Sequence, residues 1–461
     1  MRRRSLIALA ACGTVLFAPA NADAARKKAP ELTRIRCVPA TSATCKSGVK
    51  VVVGRQLQLS GKRVTKGMRV SFRWSRGALA TKLDRSRVGY VARVPTGTRA
   101  GSVSVTVSDR AGRRSNAIKI TVTAPPRLAP TPAPAPGALP EIFRGNGMWI
   151  WQLAQSEGGN LAAIVNRARS AGITTVFVKS SDGATNRWAQ FSPELVAALK
   201  AQGIRVCAWQ FVYGNDPLGE AALGADAVAA GADCLVVDAE SAYANKYAAA
   251  QQYMGALRAT VGPAYPIGFT SFPYVDYHSR IPYSVFLGPG GANANLPQIY
   301  WQDIGGTVDA VSGRTLAQNR IYGVPIAPIG QTYSNVPPQD IAQFRALWAA
   351  YGSAGLSWWS WQATAEPGWA ALAAPVTAPV LPPVDPGWPA LTRGNKGDQV
   401  VWLQQRLASA YPTVAVTSTF DDATDVALRA FQQSRGLPVT GTTDALTWQA
   451  VLSLAVKPVV W

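Results

Sequence analysis

Between residues 147 and 374 the chain returns eight times to a short, strongly apolar run, and helical patterns separate several of these runs. They cover 148–153, 175–179, 205–210, 234–240, 267–271, 298–302, 326–330 and 356–361. Runs of this kind suit strands buried on both faces, and strands that alternate with helices build a parallel sheet. Asn160 is placed to cap a helix that ends at Gly172, and Ser192-Pro193 opens another that ends at Gly203. Apolar residues at Ile341, Phe344, Trp348 and Tyr351 mark a third. Eight such units in a stretch of about 230 residues predict a (β/α)8 TIM barrel. The pattern is thinnest at the sixth helix.

Two proline-rich runs flank this region. PPRLAPTPAPAPGALP fills 125–140, and 375–389 holds six prolines. Such segments are extended, semi-rigid spacers. Residues 50–123 alternate apolar and polar positions in short runs, for example Ser102-Val-Ser-Val-Thr-Val107, with turn residues between them. That pattern predicts a small β-sandwich, immunoglobulin-like in pattern. Beyond the second spacer, apolar positions at helical spacing (Val400, Leu403, Leu407; Val426, Ala430, Phe431; Leu446, Val451) predict a small three-helix bundle. The expected organisation is a signal peptide over 1–24, a basic sandwich over 31–124, a Pro/Ala linker over 125–141, the barrel over 142–374, a Pro-rich linker over 375–389 and the bundle over 390–454.

Charge is concentrated at one end. Of 46 Lys+Arg and 25 Asp+Glu in the 461 residues, 24 bases and only three acids lie between Arg26 and Arg127. So lopsided a segment implies an anionic partner. The N-terminus narrows the choice. Arg2-Arg-Arg4, an apolar stretch from Leu6 to Ala20 and the small-x-small sites Ala20-Asn-Ala22 and Ala22-Asp-Ala24 have the form of a secretory signal. Leu9-Ala-Ala-Cys12 resembles a bacterial lipobox, which leaves lipidation at Cys12 as a second route. Export favours an anionic wall polymer over nucleic acid as the partner of the basic segment. It also permits disulfides. Cys37 and Cys45 are placed to close a small loop. Cys207 and Cys234 fall on neighbouring predicted strands, as a bond or as two buried thiols. No metal-ligand spacing occurs, no cofactor is expected, no transmembrane helix is expected in the mature chain, and a monomer is expected. One histidine, His278, speaks against multi-histidine metal sites and a Ser-His-Asp triad.

In a barrel the chemistry gathers at the C-terminal strand ends. The carboxylates expected there are Asp182, Asp238, Glu240, Asp276, Asp303 and Glu366. Asp238 and Glu240 stand at i and i+2 of one strand, so both side chains leave the same face, with Cα atoms about 6.6 Å apart. Carboxyls that close resist joint ionisation, so one can keep its proton as a general acid. Glycosidic cleavage needs such an acid and a charged partner for the developing cation. Aromatic residues at other strand ends (Trp151, Trp209, Tyr213, Tyr300, Trp301, Trp358, Trp361) offer stacking faces for sugars or simply pack the barrel.

Leu235-Val-Val-Asp-Ala-Glu240 resembles the acidic strand of glycoside hydrolase family 25 lysozymes. Phe177-Val-Lys-Ser-Ser-Asp-Gly183 is similar to that family's second-strand segment, with Asp182 where Glu is usual, and the Trp-rich run 358–362 also fits. The resemblance implies Glu240 as general acid and Asp238 as its charged partner, with the substrate's acetamido group as a nucleophile if the sugars are N-acetylated. Lys179, Asp182, Trp151, Tyr300, Gln302 and Trp361 complete the candidate site as substrate-binding residues. The run 148–151 lacks the Asp that this family carries on its first strand. Residues 390–454, with Gly397-Asp-Gln-Val400, Leu403-Gln-Gln-Arg-Leu407, Phe420-Asp-Asp-Ala-Thr424 and Thr447-Trp448, are similar along their length to the peptidoglycan-binding domain type 1. Together these imply a secreted glycosidase acting on peptidoglycan or a related N-acetylated glycan and anchored by its C-terminal module. The alternative is a non-catalytic wall-binding protein with an inactive barrel.

Overall fold

The computed structural model describes residues 28–38, 49–53, 55–95, 98–123, 138–376 and 384–461. The signal peptide with Cys12, the Cys37–Cys45 loop and most of the Pro/Ala linker lie outside the described residues. The chain divides into two compact units, 1–124 and 125–461.

The first unit holds nine strands among the described residues: β1 (Glu31–Val38), β2 (Lys50–Val52), β3 (Gln56–Lys62), β4 (Arg69–Trp74), β5 (Gly77–Lys82), β6 (Asp84–Ser86), β7 (Gly89–Arg93), β8 (Gly101–Ser108) and β9 (Ile118–Thr123). They form two sheets, ordered β1-β3-β7-β6 and β2-β9-β8-β4-β5. The alternation in sequence decides the faces. Val103, Val105 and Val107 of β8 are buried while their neighbours face outward. Leu57 and Leu59 of one sheet share a core with Phe72, Val105 and Val122 of the other. Arg69, Arg73 and Lys119 occupy exposed alternate positions.

The second unit is built on a curled parallel sheet. Its strands are β10 (Gly145–Ile150), β11 (Ile173–Asp182) with the two-residue β12 (Asn186–Arg187) beside it, β13 (Arg205–Val212), β14 (Cys234–Ala239), β15 (Ile267–Thr270), β16 (Ala294–Asn295), β17 (Gln298–Ile299), β18 (Ile329–Gln331) and β19 (Gly355–Trp359). The order is β16-β15-β14-β13-β11-β10-β19-β18-β17. The ends of the path, β16 and β17, are parts of one chain segment interrupted at Leu296-Pro297, where the proline lacks the N–H a ladder needs. Asn295 also bridges to Ile326, so this segment touches both of its neighbours.

Helices α1 (Leu161–Ser170), α2 (Pro193–Lys200), α3 (Pro217–Ala229), α4 (Tyr247–Val261), α5 (Tyr283–Phe286), α6 (Trp301–Ile304), α7 (Val308–Asn319), α8 (Pro338–Ala350) and α9 (Glu366–Ala373) follow the strands. The capping residues act as the sequence implies. Asn160 accepts from the Ala163 N–H, and Ser192 from the Leu195 N–H. Strand alternation sorts the side chains into two layers. Met148, Ile150, Val176, Val178, Val237 and Trp358 pack in the large core that also takes in the helices. Trp149, Phe177, Cys207, Trp209, Cys234, Val236, Leu296 and Ile329 share a separate cluster with Phe143. Phe143 lies in a turn just before β10 and stacks on Phe177 at 6.5 Å. Gly355 lets that turn approach: a Cβ there would fall 1.8 Å from the Phe143 carbonyl oxygen. Cys207 and Cys234 are register partners on β13 and β14, and a disulfide joins them (Cα–Cα 4.6 Å).

At the C-terminus, α10 (Asp398–Leu407), α11 (Asp422–Ser434) and α12 (Ala445–Val451) form the helical module. Two buried glutamines organise it in the same way. Gln404 accepts from the Thr417 and Ser418 N–H groups and donates to Thr419 O and Thr424 Oγ1. Gln432 accepts from Thr440 and Gly441 and donates to Thr442 O and Thr447 Oγ1. These motif residues hold loops onto helices. The spacer before the module is seated where it is described. Asp385 pairs with Arg320 at 2.7 Å, and Trp388 lies under the Arg320 guanidinium at 4.4 Å. Val400, Trp402 and Leu403 belong to the same apolar core as the sheet and its helices.

Candidate functional site

The alternation that places Cys234 and Val236 in the inner cluster also carries Asp238 and Glu240 to that face, at the C-terminal end of β14. Asp238 is 6% exposed, and Glu240 is half-buried. One amide joins them: Gln298 Nε2 donates to Asp238 Oδ1 at 3.3 Å and to Glu240 Oε1 at 3.1 Å. Burial raises the pKa of both carboxyls, and the Glu240 charge raises that of Asp238 further. Gln298 and the Lys179 ammonium act in the opposite direction and do not overcome burial. The buried Asp238 is held well above the ordinary carboxyl range. Asp238 is the deeper of the two, and Glu240 is the more open.

Lys179 and Asp182 close the site from β11. The Lys179 ammonium is buried, pairs with Asp182 Oδ2 at 3.0 Å and lies 4.5 Å from the centre of the Trp209 ring and 5.1 Å from that of Trp188. Tyr213, just past β13, donates to Asp182 Oδ1 at 2.8 Å. That bond holds the Tyr213 proton, pushing its pKa up to about 12. Tyr213 is positioned by Glu220, whose carboxylate accepts from the Tyr213 and Gly214 N–H groups.

Aromatic rings frame the carboxylates. Trp359, at the end of β19, lies 6.0 Å from Trp149, 6.4 Å from Trp151 and 5.5 Å from Trp209. Trp151 is 43% exposed and stacks on Trp359. Tyr300 is half-buried, meets Tyr333 edge-on and feels both carboxylate charges. Trp361 is buried, packs edge-on against Trp369 at 4.9 Å and donates to Glu157 at 3.3 Å. Gln302 is exposed on α6, and its backbone N–H donates to Gln331.

The structure therefore gathers Asp238, Glu240, Lys179 and Asp182 around shared partners, with Trp151 and Tyr300 among the aromatics. Trp361 and Gln302 have other partners. The remaining strand-end carboxylates are engaged elsewhere: Asp276 with Arg314, Asp303 with Tyr333, and Glu366 with Arg167. Sequence reasoning missed Gln298 and Trp359. The signal was there, because Leu296, Gln298 and Tyr300 alternate inward as Cys234, Val236 and Asp238 do, and Trp359 shares the parity of Ser357. Among the described residues no group of His, Cys, Asp and Glu is arranged to hold a metal ion, and no helix is long and apolar enough to cross a membrane.

Residues 396–451 match the family described as "Putative peptidoglycan binding domain". No curated protein matches the chain. Among solved structures, the endo-β-1,4-mannanase from Thermotoga petrophila is similar at 9% identity, covering 48% of this chain and 68% of that one, with a TM-score of 0.38. A class V chitinase from Pseudomonas fluorescens Pf-5 is similar at 13% identity, covering 49% and 98%, with a TM-score of 0.39. The spore cortex-lytic enzyme SleL of Bacillus cereus is similar at 10% identity, covering 55% and 76%, with a TM-score of 0.39. Residues 396–451 thus form a peptidoglycan-binding domain, and it is packed on the curled parallel sheet and its helices.

Proposed function

We propose that this protein is a secreted glycosidase that cuts peptidoglycan or a related N-acetylated glycan. The observation that carries the reading is the Asp238–Glu240 pair: a buried and a half-buried carboxyl facing one way, sharing one amide donor, at the strand ends of a parallel sheet. In this reading the sheet is a (β/α)8 barrel whose sixth strand is the broken segment 294–299. In this reading the pair keeps one proton, because burial and the neighbouring charge both oppose joint ionisation. The proton is shared within the pair in the resting site. As the substrate binds, Glu240, the more open of the two, carries it and donates it to the glycosidic oxygen, while the substrate's acetamido oxygen bonds to the anomeric carbon as the bond to the leaving sugar breaks. The Asp238 carboxylate steadies the positive charge that develops, and water then opens the cyclic intermediate and returns a proton to Glu240. Lys179 limits the charge that accumulates, and Trp151, Tyr300 and Trp359 offer faces for sugar rings.

The peptidoglycan-binding domain would keep the barrel on its polymer and raise the local substrate concentration. The N-terminal sheets, an immunoglobulin-like sandwich in this reading, would add contact with anionic wall polymers. A cleft of about 750 Å3 there is lined by Lys28, Arg63, Lys66, Arg110 and Arg113, with Asp109 as the acid among them. The signal-like N-terminus fits export.

The test is to incubate the protein with purified peptidoglycan and identify new chain ends by mass. New reducing sugar ends are expected. Wall binding without new ends would favour the second reading, a wall-binding protein with an inactive barrel. One observation supports that second reading: β10 brings no carboxylate to the site.

A further inference from the structure

The peptidoglycan-binding domain does not hang free on its spacer. The α10 backbone comes close to the loop before α5, and Gly397 permits this: its φ is +111°, and a Cβ there would fall 2.5 Å from Ser279 Cβ. The Asp398 N–H donates to Ser279 O at 2.7 Å. One turn further on, Trp402 donates to Ile321 O at 2.6 Å and packs on Tyr322.

Beside this seam runs a groove of about 510 Å3, walled on one side by α7 and the 276–279 loop and on the other by 386–399. Its lining is built rather than incidental. Arg314 is clamped between the Tyr274 and Tyr277 rings, 4.2 and 4.4 Å from their centres, and is held by Asp276 at 2.7 Å. Two glutamines line the groove, Gln318 at 9% and Gln399 at 6% exposure. Each uses one end of its amide within the protein. Gln318 Oε1 accepts from the Asp276 N–H, and Gln399 Nε2 donates to Gln318 O. The other ends, the Gln318 Nε2 donor and the Gln399 Oε1 acceptor, have no hydrogen-bond partner among the described residues. Both residues line the groove, so a ligand there is offered one amide donor and one amide acceptor, which suit the C=O and the N–H groups of a peptide backbone. Lys396 adds an exposed ammonium with no ion-pair partner among the described residues, and Trp388 adds an apolar wall.

We propose that this groove binds an amide that carries a carboxylate nearby, the chemistry of a peptidoglycan stem peptide rather than of its sugars. Acetamido sugars offer the amide without the carboxylate that Lys396 would take. The site is formed jointly by the sheet-bearing region and the peptidoglycan-binding domain, so it exists only while the two are docked. The proposal rests on the wall reading above for the source of its ligand, and its test is separable from that reading.

The experiment titrates the full chain by calorimetry with a soluble stem tetrapeptide and, separately, with an N-acetylglucosamine tetramer. Saturable peptide binding, weakened at least tenfold by Lys396→Glu and by Gln399→Leu, is expected. Lys396 is exposed, so its variant decides the matter even if Gln399→Leu folds poorly. No saturable peptide binding, or equal affinity in wild type and Lys396→Glu, would overturn the proposal. So would a sugar tetramer that displaces the peptide. Cleavage of insoluble peptidoglycan by the same wild-type preparation reports on the barrel alone. Peptide binding without cleavage sinks the hydrolase and leaves the groove standing; cleavage without peptide binding does the reverse.

Discussion

Among the described residues, Asp238 and Asp398 are almost wholly removed from water, and their surroundings differ in kind. Asp398, at the first position of α10, accepts four hydrogen bonds: from Tyr247 Oη at 3.0 Å, Ser284 Oγ at 2.6 Å, the Ser284 N–H at 2.8 Å and Tyr322 Oη at 2.7 Å. All four donors come from the sheet-bearing region, so this carboxylate fastens the peptidoglycan-binding domain to it. Asp238 accepts only the long bond from Gln298 and faces a second carboxylate. A buried carboxylate surrounded by donors joins two parts of a fold, whereas one beside a second carboxylate resists ionisation and is suited to proton transfer. Burial raises both pKa values, so the shift alone does not separate the two roles; the partners do.

The comparison yields opposite expectations for similar changes. Glu240→Gln and Asp238→Asn should each lower glycan cleavage by about 10²–10⁴-fold, the usual range for removing a general acid or its partner. Melting temperatures should hold or rise, since each change removes an ionisable group from a pair that resists ionisation; a lower melting temperature in Asp238→Asn would break the contrast. Asp398→Ala should instead destabilise the protein by about 3–5 kcal/mol, because four donors lose their acceptor. A urea titration reads this directly.

Asp398 also leaves a trace in pH. Burial raises it from 3.8 to about 6 in the folded chain. A carboxyl raised by folding binds its proton more tightly when folded. Its stabilising contribution is therefore full below pH about 4 and is lost as pH rises through about 6. The fall is worth about 3 kcal/mol at about 1.4 kcal/mol per pKa unit, and Asp398→Asn should abolish that slope.

Gln298→Leu removes the amide that lowers both catalytic-pair pKa values. The alkaline limb of kcat/KM should then move up, by less than about one pH unit. The smallest effect is expected for Trp151→Ala. It removes an exposed stacking face worth about 0.5–1.5 kcal/mol, so KM for a soluble glycan should rise several-fold while kcat changes little.

Much of this was legible before any coordinates. The alternation of β8, the Asn160 and Ser192 caps and the strand runs from 145 to 240 rest on periodicities of two and 3.6, which are local. The shared face of Asp238 and Glu240 has the same origin. The sixth helix was thin in sequence for a physical reason. Ser312, Thr315, Gln318 and Asn319 of α7 are buried, and 386–399 lies along the groove on one side of the helix. A helix that buries polar residues lacks the continuous apolar stripe, and with it the amphipathic signal. The second proline run reads as a spacer because proline excludes regular structure. That rule says nothing of whether the segment docks, and Asp385 and Trp388 are held by Arg320.

The sequence by itself determined the order of elements, the parity of the strands, the acidic pair and the family of residues 396–451, because each depends on residues close in the chain. The tertiary structure alone decided which residues share a hydrogen-bond donor and which share a seam. Gln298 reaches Glu240 across 58 residues and Tyr247 reaches Asp398 across 151. No local periodicity encodes such a meeting, because it follows from how the whole sheet curls and from what its surface is able to cover.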